Sequence, residues 1–152
     1  MERIASFQVD HNKLVPGMYL SRRDGEVTTF DLRFKKPNTG DLLTNAEMHS
    51  VEHIIATLLR NGPAKDAVIY FGPMGCQTGF YLLVDSRQLT DGEAVELVKE
   101  TFAAGAAFDG PMPGKSAAEC GNYINLDVSL ARAQCAYYSQ VVASWTPEQL
   151  AY

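Results

Sequence analysis

Five side chains in this sequence are of types that together do metal and proton-transfer chemistry: His49, Glu52, His53, Cys76 and Cys120. The two histidines stand four residues apart in His49-Ser50-Val51-Glu52-His53. On a helix that spacing puts both imidazoles on one face, with Cβ atoms about 5–6 Å apart. Two imidazoles so placed can bind one divalent ion. Glu52 lies close to the same face, where it can move protons beside the ion without being a ligand. The order H-x-x-E-H is the reverse of the zinc-protease helix. A helix with two surface histidines is the blander reading. Against it, the chain has three histidines in all, and two of them form this pair. A catalytic metal usually keeps three protein ligands and one open position. The best candidate for the third ligand is Cys120, in Ala118-Glu119-Cys120-Gly121-Asn122-Tyr123. Its thiolate suits zinc or ferrous iron, and Gly121 lets the backbone come close. Glu119, from the same loop, is the alternative.

Cys76 lies in the loop Pro73-Met74-Gly75-Cys76-Gln77-Thr78-Gly79, between two apolar segments. Glycines near it leave the sulfur accessible and free neighbouring backbone N–H groups to face an anion. Both effects, and a nearby metal cation, favour the thiolate, and a thiolate of this kind is a good general base. The competing reading is a tight hairpin with an incidental cysteine. Cys135, among Ala133, Ala136 and Tyr137, reads as a core thiol. As a fourth ligand it would instead close the site and make it structural.

These residues need elements to position them. Thr44 and Glu47 form a capping box, and Met48, Val51, Ile54, Ile55, Leu58 and Leu59 keep helical spacing until Gly62-Pro63. The pair His49/His53 therefore falls on a helix over 44–60. Asp24-Gly25 between 17–23 and 26–34 is a hairpin signal. In the second segment Val27, Thr29, Asp31 and Arg33 alternate with Thr28, Phe30, Leu32 and Phe34. The second set gives the sheet one apolar face to pack on helices. Residues 67–71 and 80–85 read as strands flanking the Cys76 loop. Thr90 and Glu93 cap a helix reaching about 107, 108–122 is a loop, and 126–144 has helical spacing with Asp127 as its cap. Residues 1–16 read as an extended arm or loop. Strands mixed with helices, beginning with a hairpin, predict an α+β fold with an antiparallel or mixed β-sheet packed against α-helices.

The chain has 152 residues, one domain's worth. Its hydrophobic content of 46% is too high for disorder. The formal charge of −5 disfavours nucleic acid and anionic membranes as partners, and no apolar run nears the roughly 20 residues of a membrane span. The N-terminal segment carries Glu2 and Arg3 and lacks a signal-peptide apolar core. Three cysteines, an odd number, argue against a disulfide framework. The expectation is a cytoplasmic protein.

Taken together, these segments resemble the LuxS family of bacterial autoinducer synthesis, the S-ribosylhomocysteine lyases. Ser6-Phe7-Gln8-Val9-Asp10-His11, Phe30-Asp31-Leu32-Arg33-Phe34 with Pro37-Asn38, His49 to His53, Pro73 to Tyr81, and Cys120-Gly121-Asn122-Tyr123 agree in order and spacing across nearly the whole chain. The resemblance implies a single catalytic domain over 1–152 that forms a homodimer with active sites at the subunit interface. It implies His49, His53 and Cys120 as ligands of one divalent metal per subunit, ferrous iron natively and zinc as an alternative. It implies Cys76 and Glu52 as the acid–base pair, and Ser6, His11 and Arg33 as contacts to the sugar of S-ribosylhomocysteine from the neighbouring subunit. The implied reaction yields homocysteine and 4,5-dihydroxy-2,3-pentanedione, the autoinducer precursor of quorum sensing, and clears a by-product of the activated methyl cycle. A thioether leaves only when a neighbouring carbonyl acidifies the adjacent proton, so the carbonyl must migrate before β-elimination. Tyr70, Phe71 and Gly72 depart from the Asp-Ile-Ser of typical members. Two other readings of the helix motif are an H-x-x-E-H metallopeptidase and a non-catalytic metal-stabilised interaction domain closed by Cys135.

Overall fold

A computed structural model describes residues 1–152. The elements run α1 (Ala5–Gln8), β1 (Gly17–Asp24), β2 (Val27–Arg33), α2 (Asn45–Asn61), β3 (Val68–Pro73), β4 (Gly79–Asp85), α3 (Asp91–Ala106) and α4 (Val128–Val142), with 3-10 turns at Tyr123–Asn125 and Pro147–Leu150. The fold is α+β, and the four-stranded sheet, in the order β1-β2-β4-β3, is antiparallel throughout. The β1–β2 hairpin closes on Gly25-Glu26, with Gly25 at φ +59° in the left-handed region. The N-terminal arm differs from the extended reading by one helical turn, α1. That turn is too short to show a helical period in the sequence.

Both expected capping boxes form. The Thr44 side chain accepts from Glu47 N while Glu47 reaches back to the Thr44 backbone, and Thr90 and Glu93 do the same. Such a cap is worth about 1 kcal/mol. Asp127 accepts from Ser129 N to start α4.

One face of the sheet carries Phe30, Leu32, Phe80 and Leu82, and with Phe34 just beyond β2 it makes the core with the helices. Against it lie Val51, Ile54 and Ile55 of α2, Val95, Val98 and Phe102 of α3, and Ala131, Cys135 and Tyr138 of α4. Phe34 stacks on Tyr138 with ring centres 4.2 Å apart, and the Tyr138 hydroxyl donates to the Gly17 carbonyl at 2.8 Å, tying α4 to β1. Because α2 buries Met48, Val51, Ile54 and Ile55, its next stripe, His49, Glu52 and His53, is left half-buried along the edge of the core.

The opposite face of β2 is not a solvent face, although its residues are polar. Asp31 and Arg33 are 1% and 3% exposed. The tail covers them: Tyr152 stacks on Tyr19 and its hydroxyl reaches Asp31. The alternation assigns the faces of β2 correctly, but only the chain folding back over the sheet decides that both are buried. No helix is long and apolar enough to cross a membrane.

Gly79 opens β4 opposite Arg33. A Cβ there would fall on the Leu32 carbonyl oxygen and lie 3.2 Å from Arg33 Cα, both backbone atoms that cannot rotate away. Gly79→Ala should therefore destabilise the fold by about 2–3 kcal/mol. Thermal unfolding read by circular dichroism should show this as a midpoint lower by roughly 5–10 °C; an unchanged midpoint would mean that the strands separate without cost.

Candidate metal centre and reactive turn

His49 and His53 project from α2 toward the loop that carries Cys120. Their ring centres are 4.7 Å apart. His49 Nε2 is 3.4 Å and His53 Nε2 3.7 Å from Cys120 Sγ, and one donor atom from each residue lies within 4.8 Å of the others. The other nitrogen of each ring is engaged by an acceptor: His49 Nδ1 by Asn125 Oδ1 at 2.7 Å, His53 Nδ1 by the Pro113 carbonyl at 2.8 Å. A carbonyl oxygen only accepts, so each Nδ1 carries the proton and each Nε2 keeps a free lone pair. The orientation of Asn125 is itself set, because its Nδ2 donates to Asn45 Oδ1 at 2.7 Å. Two lone pairs and a sulfur aimed at one point form the donor set of a divalent cation, and these residues fit a metal.

Glu119, the alternative ligand, is turned elsewhere and accepts from the Ser116 hydroxyl at 2.6 Å. Cys135 lies fully buried in the core against Gly105, outside the cluster, and burial pushes its thiol up to about 12. It therefore does not close the site. Glu52 lines two small clefts of about 230 Å³ each, one shared with His49, Asn45, Met48, Pro73 and Asn122, the other with His53, Ala56, Thr57, Pro113 and Gly114. It is the residue the two clefts share.

Pro73, at the end of β3, lines the cleft of His49 and Glu52, so the Cys76 loop begins beside the histidines. Cys76 is exposed. The turn that carries it is braced from several sides. Met74 N donates to the Gly79 carbonyl and Gln77 N to the Met74 carbonyl. Leu43 N donates to the Gln77 carbonyl, and Gln77 Nε2 to the Leu43 carbonyl at 2.8 Å. Gln77 takes a positive φ of 63° to make this turn. Cys76 Sγ is 3.0 Å from Thr78 Oγ1 and 3.8 Å from Arg33 Nη1. The Arg33 guanidinium donates to Thr78 Oγ1 at 2.7 Å and pairs with Asp31 at 2.6 Å. Burial works against its charge, but the Asp31 carboxylate more than offsets this, and the pKa stays above the ordinary arginine value. The electropositive partner that the structure gives Cys76 is thus a side chain, Arg33, where the glycines had suggested backbone N–H groups.

Within one chain no hydrogen bond or ion pair joins Ser6 or His11 to Cys76, Glu52 or the triad. Ser6 lines a groove with Tyr70, Tyr81 and Leu83 on the outer face of the sheet, and His11 Nδ1 turns back to the Val9 carbonyl at 2.9 Å. In the departing segment, the Tyr70 ring lies over Gly72, where a side chain would otherwise sit. Two of the three departures, Tyr70 and Gly72, thus pack together. Sequence reasoning missed Asn125, Pro113, Thr78 and Asp31. Only Asp31 and Thr78 carried a signal: Asp31 shares the Arg33 face of β2, and Thr78 precedes the cross-strand partner of Arg33.

The chain is thus a small α+β domain with a His-His-Cys cluster that could hold a metal and an exposed thiol on a braced turn. The family model described as S-ribosylhomocysteinase (LuxS) matches residues 4–149. Proteins named S-ribosylhomocysteine lyase are similar from end to end. The one from Desulfotalea psychrophila is 46% identical over 100% of this chain and 99% of its own. The ones from Finegoldia magna and Borreliella burgdorferi are 44% and 41% identical over the same shares. The chain belongs to the LuxS family.

The hydrogen bond from His49 to Asn125 makes a separate prediction. Asn125→Ala should weaken zinc affinity by about 10–100-fold, since the partner that orients a ligating imidazole is lost. Competition against a chelating dye measures this, and an unchanged affinity would mean that His49 is held by packing alone.

Proposed function

We propose that this protein is an S-ribosylhomocysteine lyase, with residues 1–152 as its one catalytic domain. The reading rests on His49, His53 and Cys120 converging within 4.8 Å in a chain that matches the LuxS family over residues 4–149. In this reading the three side chains hold one divalent ion. The Cys and two His donors suit ferrous iron, which we take as the native metal, and equally zinc. Bound there, the ion supplies Lewis-acid polarisation of the substrate's carbonyl and hydroxyl oxygens.

The chain's own residues do the rest. Cys76 takes and returns protons on carbon as the carbonyl migrates along the sugar. Its exposure gives it access to substrate, and the Arg33 guanidinium lies 3.8 Å from its sulfur. Glu52, between the two histidine clefts, moves protons among the oxygens and assists the final elimination of homocysteine. The other product is 4,5-dihydroxy-2,3-pentanedione, the autoinducer precursor. Glu119, the alternative ligand, is bonded to Ser116 and lies outside the triad. Three free cysteines suit a reducing cytoplasm.

The protein acts as a homodimer in which Ser6 and His11 serve the neighbouring subunit's site, while Arg33, expected with them, stands beside Cys76 of its own chain and serves that site. Two observations support this: neither Ser6 nor His11 contacts the triad of its own chain, and Ile4, Phe7, Val15, Ile69 and Tyr70 leave apolar surface exposed. Surface of this kind marks association.

Metal-loaded protein mixed with S-ribosylhomocysteine should release many equivalents of thiol. Cys76→Ala should keep its metal and lose at least about 100-fold in rate, whereas His49→Ala should lose the metal. Normal turnover in either variant would sink the assignment. Mixing His11→Ala with Cys76→Ala subunits should restore about a quarter of the wild-type rate, because half the dimers are mixed and half of their sites intact; no recovery would place His11 in its own subunit's site.

A further inference from the structure

The reactive turn is held from a side that the reaction scheme does not use. Arg33 and Asp31 lie buried on the outer face of the sheet, 3% and 1% exposed. Arginine and carboxylate usually pair by two parallel hydrogen bonds. Here the pairing has one prong, Nη2 to Oδ2 at 2.6 Å. Arg33 Nε and Asp31 Oδ1 are both buried and both without a partner. Leaving two buried polar atoms unmet is costly, and a carboxylate turned so that Oδ1 met Nε would pair them. Two contacts oppose that turn. Arg33 Nη1 is committed to Thr78 Oγ1 at 2.7 Å, with Cys76 Sγ 3.8 Å away. On the far side, the Tyr152 hydroxyl donates to the same Oδ2 at 2.7 Å. Tyr152 is itself located by stacking on Tyr19, with ring centres 5.1 Å apart and planes 13° apart. Burial first, then the Asp31 charge, raises the Tyr152 pKa, so the hydroxyl stays a donor across the working range of pH.

We propose that Tyr152 is a positioning residue for Cys76: its hydroxyl holds the Asp31 carboxylate in a one-pronged pairing, which keeps the second arm of the Arg33 guanidinium on Thr78 and Cys76. Without the hydroxyl, Oδ2 loses a partner and the carboxylate turns Oδ1 onto Nε. The two-pronged pair forms, and Nη1 swings away from Thr78 and the thiol. A cysteine sulfur that loses the guanidinium beside it loses a partner for the charge it carries as it attacks, and reacts more slowly. The tail of the chain, more than a hundred residues from Arg33 in sequence, thereby sets the reactivity of the turn. The kinetic part of this proposal rests on the lyase reading; the effect on the thiol does not.

The test uses the full-length, metal-loaded protein and Tyr152→Phe, which keeps the ring on Tyr19 and removes only the hydroxyl. Alkylation of Cys76 by iodoacetamide at fixed pH, without substrate, is followed by mass spectrometry of its peptide, with buried Cys135 read in the same digest. Cys76 should be alkylated about 3–10-fold more slowly in the variant. Cys135 should stay unmodified and metal content full. With S-ribosylhomocysteine, kcat should fall by a similar factor with KM within about twofold. An unchanged Cys76 rate would overturn the proposal. So would a change accompanied by Cys135 becoming reactive, because the hydroxyl would then only be holding the fold together. Slowed alkylation in a protein whose wild type releases no homocysteine would uphold the positioning role while removing the lyase reading.

Discussion

Two imidazole lone pairs face one thiol because the other nitrogen of each ring is already committed. Asn125 and the Pro113 carbonyl accept from His49 and His53, so each ring turns its Nε2 toward Cys120. Much of the molecule is arranged around that constraint. The helix α2 must bury Met48, Val51, Ile54 and Ile55 for the histidine stripe to stand at its edge. The segment from Pro113 to Asn125 must return across that edge to bring Pro113, Cys120 and Asn125 within reach. It has little regular structure of its own, and Lys115 Nζ to the Leu126 carbonyl and Asp127 N to Ser50 Oγ help to tie it down.

The second centre of organisation is the buried pair Asp31–Arg33. A charged pair taken out of water stabilises a fold weakly, because desolvation offsets most of the attraction. Its worth here is directional. The pair carries the position of the tail to the Cys76 turn through a guanidinium that has two arms to give. The metal cluster is built by a helix and a loop on one side of the sheet, the thiol is poised by a strand and a tail on the other, and the β3–β4 turn is where they meet. Cross-strand registry of Arg33 with Gly79 makes that meeting possible, since only glycine lets β2 come so close to the start of β4.

The elements were largely legible from sequence because their signals are local. Capping boxes at Thr44 and Thr90, the Asp24-Gly25 turn, the alternation of β2 and the helical period of α2 each depend on residues within a few positions of one another, and each appears where it was expected. The candidate donor set was legible for the same reason in part: the i, i+4 spacing of His49 and His53 is a property of any helix. Cys120 was chosen over Glu119 on donor chemistry; in the fold Cys120 stands beside His49 and His53, while Ser116 takes Glu119 into the loop.

What the sequence by itself determined is therefore the set of elements, the face of α2 that carries the histidines, and the turn that exposes Cys76, all fixed by hydrogen bonds and side-chain periods that span a few residues. What only the tertiary structure decided is which partners finish each group. The acceptors on the two Nδ1 atoms, the guanidinium beside Cys76, the burial of the polar face of β2 and the reach of Tyr152 to Asp31 all join residues between about forty and one hundred and twenty positions apart. No local period encodes such pairs. They arise when packing of the apolar faces brings distant backbone together and buried polar atoms then take whatever donor or acceptor is near, because leaving them unmet costs more than ordering the chain.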